Sequence, residues 1–278
     1  MTEVYTEYVN NSADTAFADK WWNADAATAN KSLFGLVRYV EKNQAYRSAL
    51  NLRYARLYSN TEILGLSSGT YARTTSNNFA NNRVTLNVVK SCVDTAASKI
   101  SKNKPRPLFL TENGDYNLKH KAKLLNQYME GMFDETDIYR TGQRVFTDAC
   151  VFGTGCLKLY IDPASKKIKA ERIFIDEIII DDIEGMYGTP TQIHQRKYYD
   201  RDQLIKMFPD KEEQIKSAST ALRGETATQS TANNVIVVES WHLPSSKDAK
   251  DGKHAICVDN ATLIFEDYDK NFFPFVFF

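Results

Sequence analysis

Apolar residues recur at steps of three and four through the first half of the chain and at steps of two through much of the rest. From Ala24 to about Ser59, Leu33, Val37, Val40, Tyr46, Leu50, Tyr54 and Leu57 trace one long polar helix. Its stripe drifts where Lys42, Asn43 and Arg47 interrupt it, the pattern of a helix wrapped along a larger body or a neighbouring subunit. A second helix follows Leu86, Val89, Val93, Ala96 and Ile100, and Asn103 with Lys104-Pro105-Arg106-Pro107 ends it. A third carries Leu118, Ala122, Leu125, Met129 and Met132 on one face, and a fourth carries Ile138, Gly142, Val145, Ala149 and Phe152.

The period then changes within a few residues. After Phe152-Gly153-Thr154-Gly155, Leu157, Leu159 and Ile161 alternate with Cys156, Lys158 and Tyr160, so a helix is turned sharply onto a strand. Asp162-Pro163-Ala164-Ser165 predicts a hairpin loop, and Ile168 to Ile180 holds one or two further strands. Gln192 to Tyr199 is another strand, followed by a short helix that Asp200 starts and Pro209 closes. Strands resume at Val235 to Leu243, His254 to Val258 and Thr262 to Phe265. The fold class this predicts is α+β, with long N-terminal helices packed beside a mainly antiparallel β-rich domain. The implied divisions are a loose arm over 1–23, a helical part over 24–155 and a β-rich part over 156–278. Residues 65–82 read as an irregular loop, and 216–234, rich in Ala, Ser and Thr, as a mobile segment or one ordered by a partner. Phe272 to Phe278 is a strongly apolar final strand, expected to be either a core strand or the sign that the chain is the front part of a longer protein.

Composition narrows the chemistry. With 278 residues, 42% of them hydrophobic, the chain can bury a substantial core. Thirty-five basic residues balance thirty-five acidic ones, so no global field recruits nucleic acid or an anionic membrane, and any DNA contact is local. No apolar run reaches the roughly 18 residues of a membrane span, and the first twenty positions lack the pattern of a signal peptide. Cys92, Cys150, Cys156 and Cys257 form no CxxC pair and read as small buried hydrophobes.

Gly153-Thr154-Gly155 superficially suggests a phosphate loop, but the order is helix to strand, so the negative end of a helix dipole meets the loop. The two glycines are read instead as a structural pivot, a positive-φ cap and a tight turn. Glu171, Asp176, Glu177, Asp181, Asp182 and Glu184 gather around Ile178-Ile179-Ile180 and offer oxygen ligands for Mg²⁺, the basis of a metal-dependent nuclease reading. Acidic residues bracketing a short apolar strand also simply solvate its ends. His120, His194, His242 and His254 fall in no catalytic motif, and His242 reads as structural. Lys99, Lys102, Lys104 and Arg106 form a local basic patch at the end of the second helix, a candidate DNA or partner contact that the helix dipole alone would also favour. The residues themselves indicate no catalytic, cofactor or metal site.

Asn87-Val88-Val89-Lys90 with Val93-Asp94 to Lys104-Pro105-Arg106-Pro107, then Phe146 to Gly155, resemble the portal (head-to-tail connector) proteins of tailed bacteriophages. Ile175-Asp176-Glu177, Asp181 to Tyr187, Tyr199 to Pro209 and Glu239-Ser240-Trp241-His242-Leu243 are similar to the β-rich wing of podovirus-type portals, so the resemblance covers Asn51 to Phe278. The resemblance implies the wing part of such a protein, and the stem and clip that follow the wing in this family are expected to be absent. The resemblance implies a non-enzymatic, cofactor-free subunit of a homo-oligomeric ring, usually dodecameric, at the unique capsid vertex of the virion, assembled in the bacterial host cytoplasm. It implies as partners the packaging terminase, the major capsid or scaffold protein, a tail adaptor and the double-stranded DNA passing through the channel, with no membrane. A metal-dependent nuclease or hydrolase and a structural tail adaptor are the competing readings.

Overall fold

The computed structural model describes residues 20–60, 86–111, 114–162, 165–219 and 233–278. The expected loop at 65–82, the first nineteen residues of the expected arm and residues 220–232 of the segment 216–234 lie outside the described residues. In chain order, α1 (Ala29–Asn43), α2 (Ala45–Ser59), α3 (Val88–Lys102), α4 (Tyr116–Glu135) and α5 (Ile138–Phe152) precede β1 (Cys156–Ile161) and β2 (Ile168–Ile173). There follow β3 (Ile178–Ile179), α6 (Asp182–Met186), β4 (Gln192–Asp200), α7 (Arg201–Met207) and α8 (Glu212–Ser217). The chain then runs through β5 (Asn234–His242), β6 (Lys253–Val258), β7 (Ala261–Asp267) and β8 (Phe275–Phe277). The class is α+β, and every strand pairing is antiparallel.

The chain divides into two units that interleave in sequence. One holds residues 1–47 and 176–273, built on a five-stranded sheet of order β3-β4-β5-β6-β7. Its central strand β5 sends Ile236 and Val238 to one face and Val235 and Val237 to the other, all four buried, which is why this run is apolar without alternation. Trp21 and the α1 residues Leu33, Phe34, Val37 and Val40 cover the first face with Ile179, Ala255 and Cys257. Leu204, Ile215 and Ala218, from α7, α8 and the residue after it, cover the second with Val258 and Ala261. Burial of each large apolar side chain contributes about 1.5–3 kcal/mol.

Trp21 corrects the expected arm at its inner end: it is 1% exposed and belongs to the core, in a 3₁₀ turn Trp21–Asn23 ahead of α1. The single helix expected over 24–59 is two helices. They separate at Gln44, whose side-chain amide donates to the Ile180 carbonyl (2.6 Å) and to Asp182 Oδ1 (2.7 Å), so tertiary bonds fix a break that the drifting stripe only hinted at. Helix α8 was not foreseen. Arg201 holds its end, donating to the carbonyls of Ile215, Lys216 and Ala218, and Ser219 N–H reaches the Asp259 carboxylate at 3.2 Å. Residues 216–219 of the expected mobile segment thus carry hydrogen bonds to Arg201 and Asp259.

The other unit holds residues 48–175 and 274–278, with a three-stranded sheet of order β2-β1-β8. The stretch Ile168 to Ile180 thus supplies strands to two different sheets, parted by the 3₁₀ turn Ile175–Glu177. Within this unit α5 packs on α3 and on β1 and β2. Arg172 of β2 forms a bidentate ion pair with the buried Asp148 of α5, and Phe152 meets Phe174 edge-on at 5.1 Å. Asn87 caps α3, accepting from Lys90 N at 2.8 Å while its amide donates to Tyr58 O at 2.9 Å, which ties the end of α2 to the start of α3. Helix α4 buries none of its residues. The final apolar run supplies β8, an edge strand whose Phe275 is buried while Val276, Phe277 and Phe278 are 42%, 40% and 54% exposed.

Candidate functional site

At the helix-to-strand joint the two glycines do different work. Gly153 is the C-cap of α5 at φ +85°, with its N–H on Ala149 O, and nothing lies within 4 Å of where a Cβ would stand. For Gly155 the constraint is space. A Cβ there would stand 2.9 Å from Val145 Cγ1 and closer still to the Val145 carbonyl oxygen, so the absence of a side chain is what lets the chain leave α5 against that helix's own backbone. The positive-φ explanation thus applies to Gly153, and close approach applies to Gly155.

The four basic residues differ in what engages them. Lys99 and Lys102 are exposed on the last turns of α3. Lys104 lies over the Tyr139 ring at 5.5 Å, and Arg106 pairs with Glu130 at 2.7 Å. Together with the Tyr139 hydroxyl on Pro105 O and the Asn126 side chain on the backbone of Phe109, these contacts pin residues 105–109 along α4 and the start of α5. Two of the four cations are therefore engaged in holding an extended segment.

The carboxylates do not converge. Asp181 caps α6 by accepting from Ile183 N (2.9 Å), Asp182 accepts from Gln44, Glu177 accepts from Gln195 Nε2 (3.1 Å), and Glu184 accepts from Thr191 N (2.9 Å) and Oγ1 (2.8 Å). Asp176 offers its backbone carbonyl to Arg196, and Glu171 stands opposite Lys158 in the other unit's sheet. Among the described residues no group of three or more His, Cys, Asp or Glu side chains is placed to hold a metal ion. The cysteine reading needs correction: Cys156 and Cys257 are buried, but Cys92 on α3 and Cys150 on α5 are exposed, because their helical positions fall outside the packed faces.

A family model for the phage P22-like portal protein matches residues 71–269, most of the chain and parts of both units. The chain belongs to the P22-like phage portal family. It is a structural protein of the phage particle, placed by its family at the capsid. A comparison with curated proteins gives no match. No helix among the described residues of this portal chain is long and apolar enough to cross a membrane.

Sequence reasoning missed a cluster of aromatic rings and histidines in this portal chain, where Trp21 and Trp22 meet His194 and His242. His194 is 2% exposed, and burial, with the nearby His242 adding to it, pushes its imidazole down to about 3. The available signal was the even spacing of Gln192 and His194 on one strand and Ser240 and His242 on another, which places all four on one sheet face once the pairing is known.

Proposed function

We propose that this chain is a ring-forming portal subunit at the unique vertex of the capsid, through which double-stranded DNA is packaged and ejected and by which head is joined to tail. The observation that carries the reading is the portal-family match running from residue 71 to residue 269. Charge balance supports it: a chain with thirty-five positive and thirty-five negative residues does not grip a sliding duplex through many phosphate contacts, each of which adds salt-dependent affinity. The use of Asp181, Asp182, Glu177 and Glu184 in caps and buried bonds supports a non-enzymatic role, with the energy for DNA movement supplied by a separate packaging terminase. Lys99 and Lys102 are proposed to touch passing DNA or an acidic partner, with Lys104 and Arg106 supporting the neighbouring segment. Further partners are other copies of the chain in a ring, usually of twelve in this family, the capsid or scaffold protein, and a tail adaptor.

The test is to label the chain in assembled phage particles and image them. Label at one vertex per particle, on a ring of fixed copy number, is expected. Label scattered over the shell, or absent from it, overturns the reading.

A further inference from the structure

Gln192 and His242 are partners in the β4–β5 register, as are His194 and Ser240, so their side chains fall on one face at one end of the five-stranded sheet. Further along, the same face carries Ile236, Val238, Ala255 and Cys257 beneath α1. The polar end is roofed by two indoles instead. Trp22 lies nearly parallel on His242, ring centroids 3.9 Å apart and planes 13° off. Trp21 stands edge-on to both imidazoles, at 6.2 Å from His194 and 6.5 Å from His242, and its indole N–H donates to Gln192 Oε1 at 3.0 Å. His194 Nδ1 is 2.8 Å from Ser240 Oγ, and His242 Nδ1 is 3.1 Å from Asp251 O. A roof of two large apolar rings over two titratable ones is an unusual way to close a sheet, since it hides from water the groups whose charge changes near neutral pH.

We propose that the Trp21–Trp22 turn is an acid-released latch, seated on two neutral histidines and lifted from the sheet when they take up protons. This goes beyond the portal reading and does not depend on it. Among the described residues, Lys20, just ahead of the turn, opposes charge on His242, while Glu184 on α6 and Asp251 ahead of β6 favour it. Lys253, the register partner of His242 on β6, is bonded to Asp267. Among the described residues the hydrogen-bond partner of the buried His194 is the Ser240 hydroxyl, with the Trp21 ring edge-on beside it, so its protonation requires water to reach it. Burial holds it at about 3 against an ordinary 6.5, and burial likewise pulls His242 down. Both rings therefore take up protons more readily once the turn has lifted, and the seated state weakens as pH falls. Release would free Trp21 and Trp22 from the sheet without unpairing a strand.

The experiment uses the full chain with Trp241→Phe, so that emission reports Trp21 and Trp22 alone. Titrated from about pH 7.5 to about 4.5, emission is expected to shift to the red and acrylamide quenching to rise, while far-UV circular dichroism stays constant. The double variant His194→Gln with His242→Gln is expected to be flat. Emission that does not move, that moves only together with loss of circular dichroism, or that moves equally in the double variant overturns the latch. A second readout needs no histidine variant: the ring resonances of His194 are expected to titrate in step with the emission shift, and titration without any emission change counts against the latch.

Discussion

Gly155 and Phe278 exchange a pair of backbone hydrogen bonds, Gly155 N–H to Phe278 O at 3.2 Å and Phe278 N–H to Gly155 O at 2.9 Å. The residue that leaves the helix-to-strand joint and the residue 123 positions later thereby extend the β1–β8 ladder by one rung. The joint is thus held on two sides, by Val145 of α5 and by the backbone of the final strand.

Gly155→Ala is expected to destabilise its unit by about 1–3 kcal/mol, because the new methyl meets the Val145 carbonyl, which is backbone and cannot turn aside. Gly153→Ala faces no neighbour and is expected to cost about 1–2 kcal/mol through its left-handed φ alone, a cost that Gly153→Asn should reduce. Urea denaturation of these three variants and of Gly155→Asn distinguishes the two causes. An asparagine at 155 that is as harmless as one at 153 would show that close approach is not the constraint.

Glu41 of α1 pairs with Arg196 of β4, with side chains only 9% and 24% exposed. Glu41→Leu leaves a half-buried guanidinium without its carboxylate and is expected to cost about 1–3 kcal/mol, whereas Glu41→Leu with Arg196→Leu should recover most of it. By contrast, Glu135→Ala removes the exposed partner of Lys167 and should change stability by less than about 1 kcal/mol. Thermal denaturation of the four proteins checks the ranking.

His254 adds a pH dependence of the opposite sign to that of His194. Burial pulls its imidazole down, but the hydrogen bonds its ring donates to Glu239 (3.1 Å) and Glu266 (2.7 Å) more than offset this, and its folded-state value lies above 6.5. Its contribution is fully present below 6.5 and is lost as pH rises through the folded value. His194, held at about 3, contributes above 6.5 and loses that contribution as pH falls. His254→Gln is accordingly expected to flatten the alkaline side of the stability profile and leave the acid side unchanged. A flattened acid side would be the contrary result.

Thiol reactivity should divide the four cysteines into two pairs. Cys92 and Cys150, both exposed, are expected to react with a thiol reagent in the folded protein. Cys156 and Cys257 should react only on unfolding; in the folded protein burial also pushes the Cys257 thiol up to about 12, which keeps it protonated. More than two fast-reacting thiols in the native protein would contradict this burial.

Asp181→Ala with Asp182→Ala removes a helix cap and the acceptor for Gln44, and is expected to cost about 1–3 kcal/mol while leaving particle assembly intact. Loss of a Mg²⁺-dependent cleavage activity in the double variant would instead mark these carboxylates as catalytic.

The local elements were legible because their causes are local. The three-and-four repeat of Leu86 to Ile100 became α3, and the switch of period at Gly153–Gly155 became the boundary between α5 and β1. Asp200 caps α7 as its spacing implied, accepting from Gln203 N at 3.0 Å. Helix α8 was missed because its six residues bury one large apolar side chain, Ile215, too little for a periodic signal. The exposure of Cys92 and Cys150 was missed because a cysteine's burial depends on which helix face finds a neighbour, and side-chain type alone does not record that.

By itself the sequence determined the α+β class, the antiparallel strands and the place of the joint, since periodicity, caps and glycine conformation act over a few residues. Only the tertiary structure decided that Ile168 to Ile180 serves two sheets, that the final strand joins β1, and that Trp21 roofs His194. Each of these is a pairing between distant segments, made by burying surface that no neighbouring residue could cover.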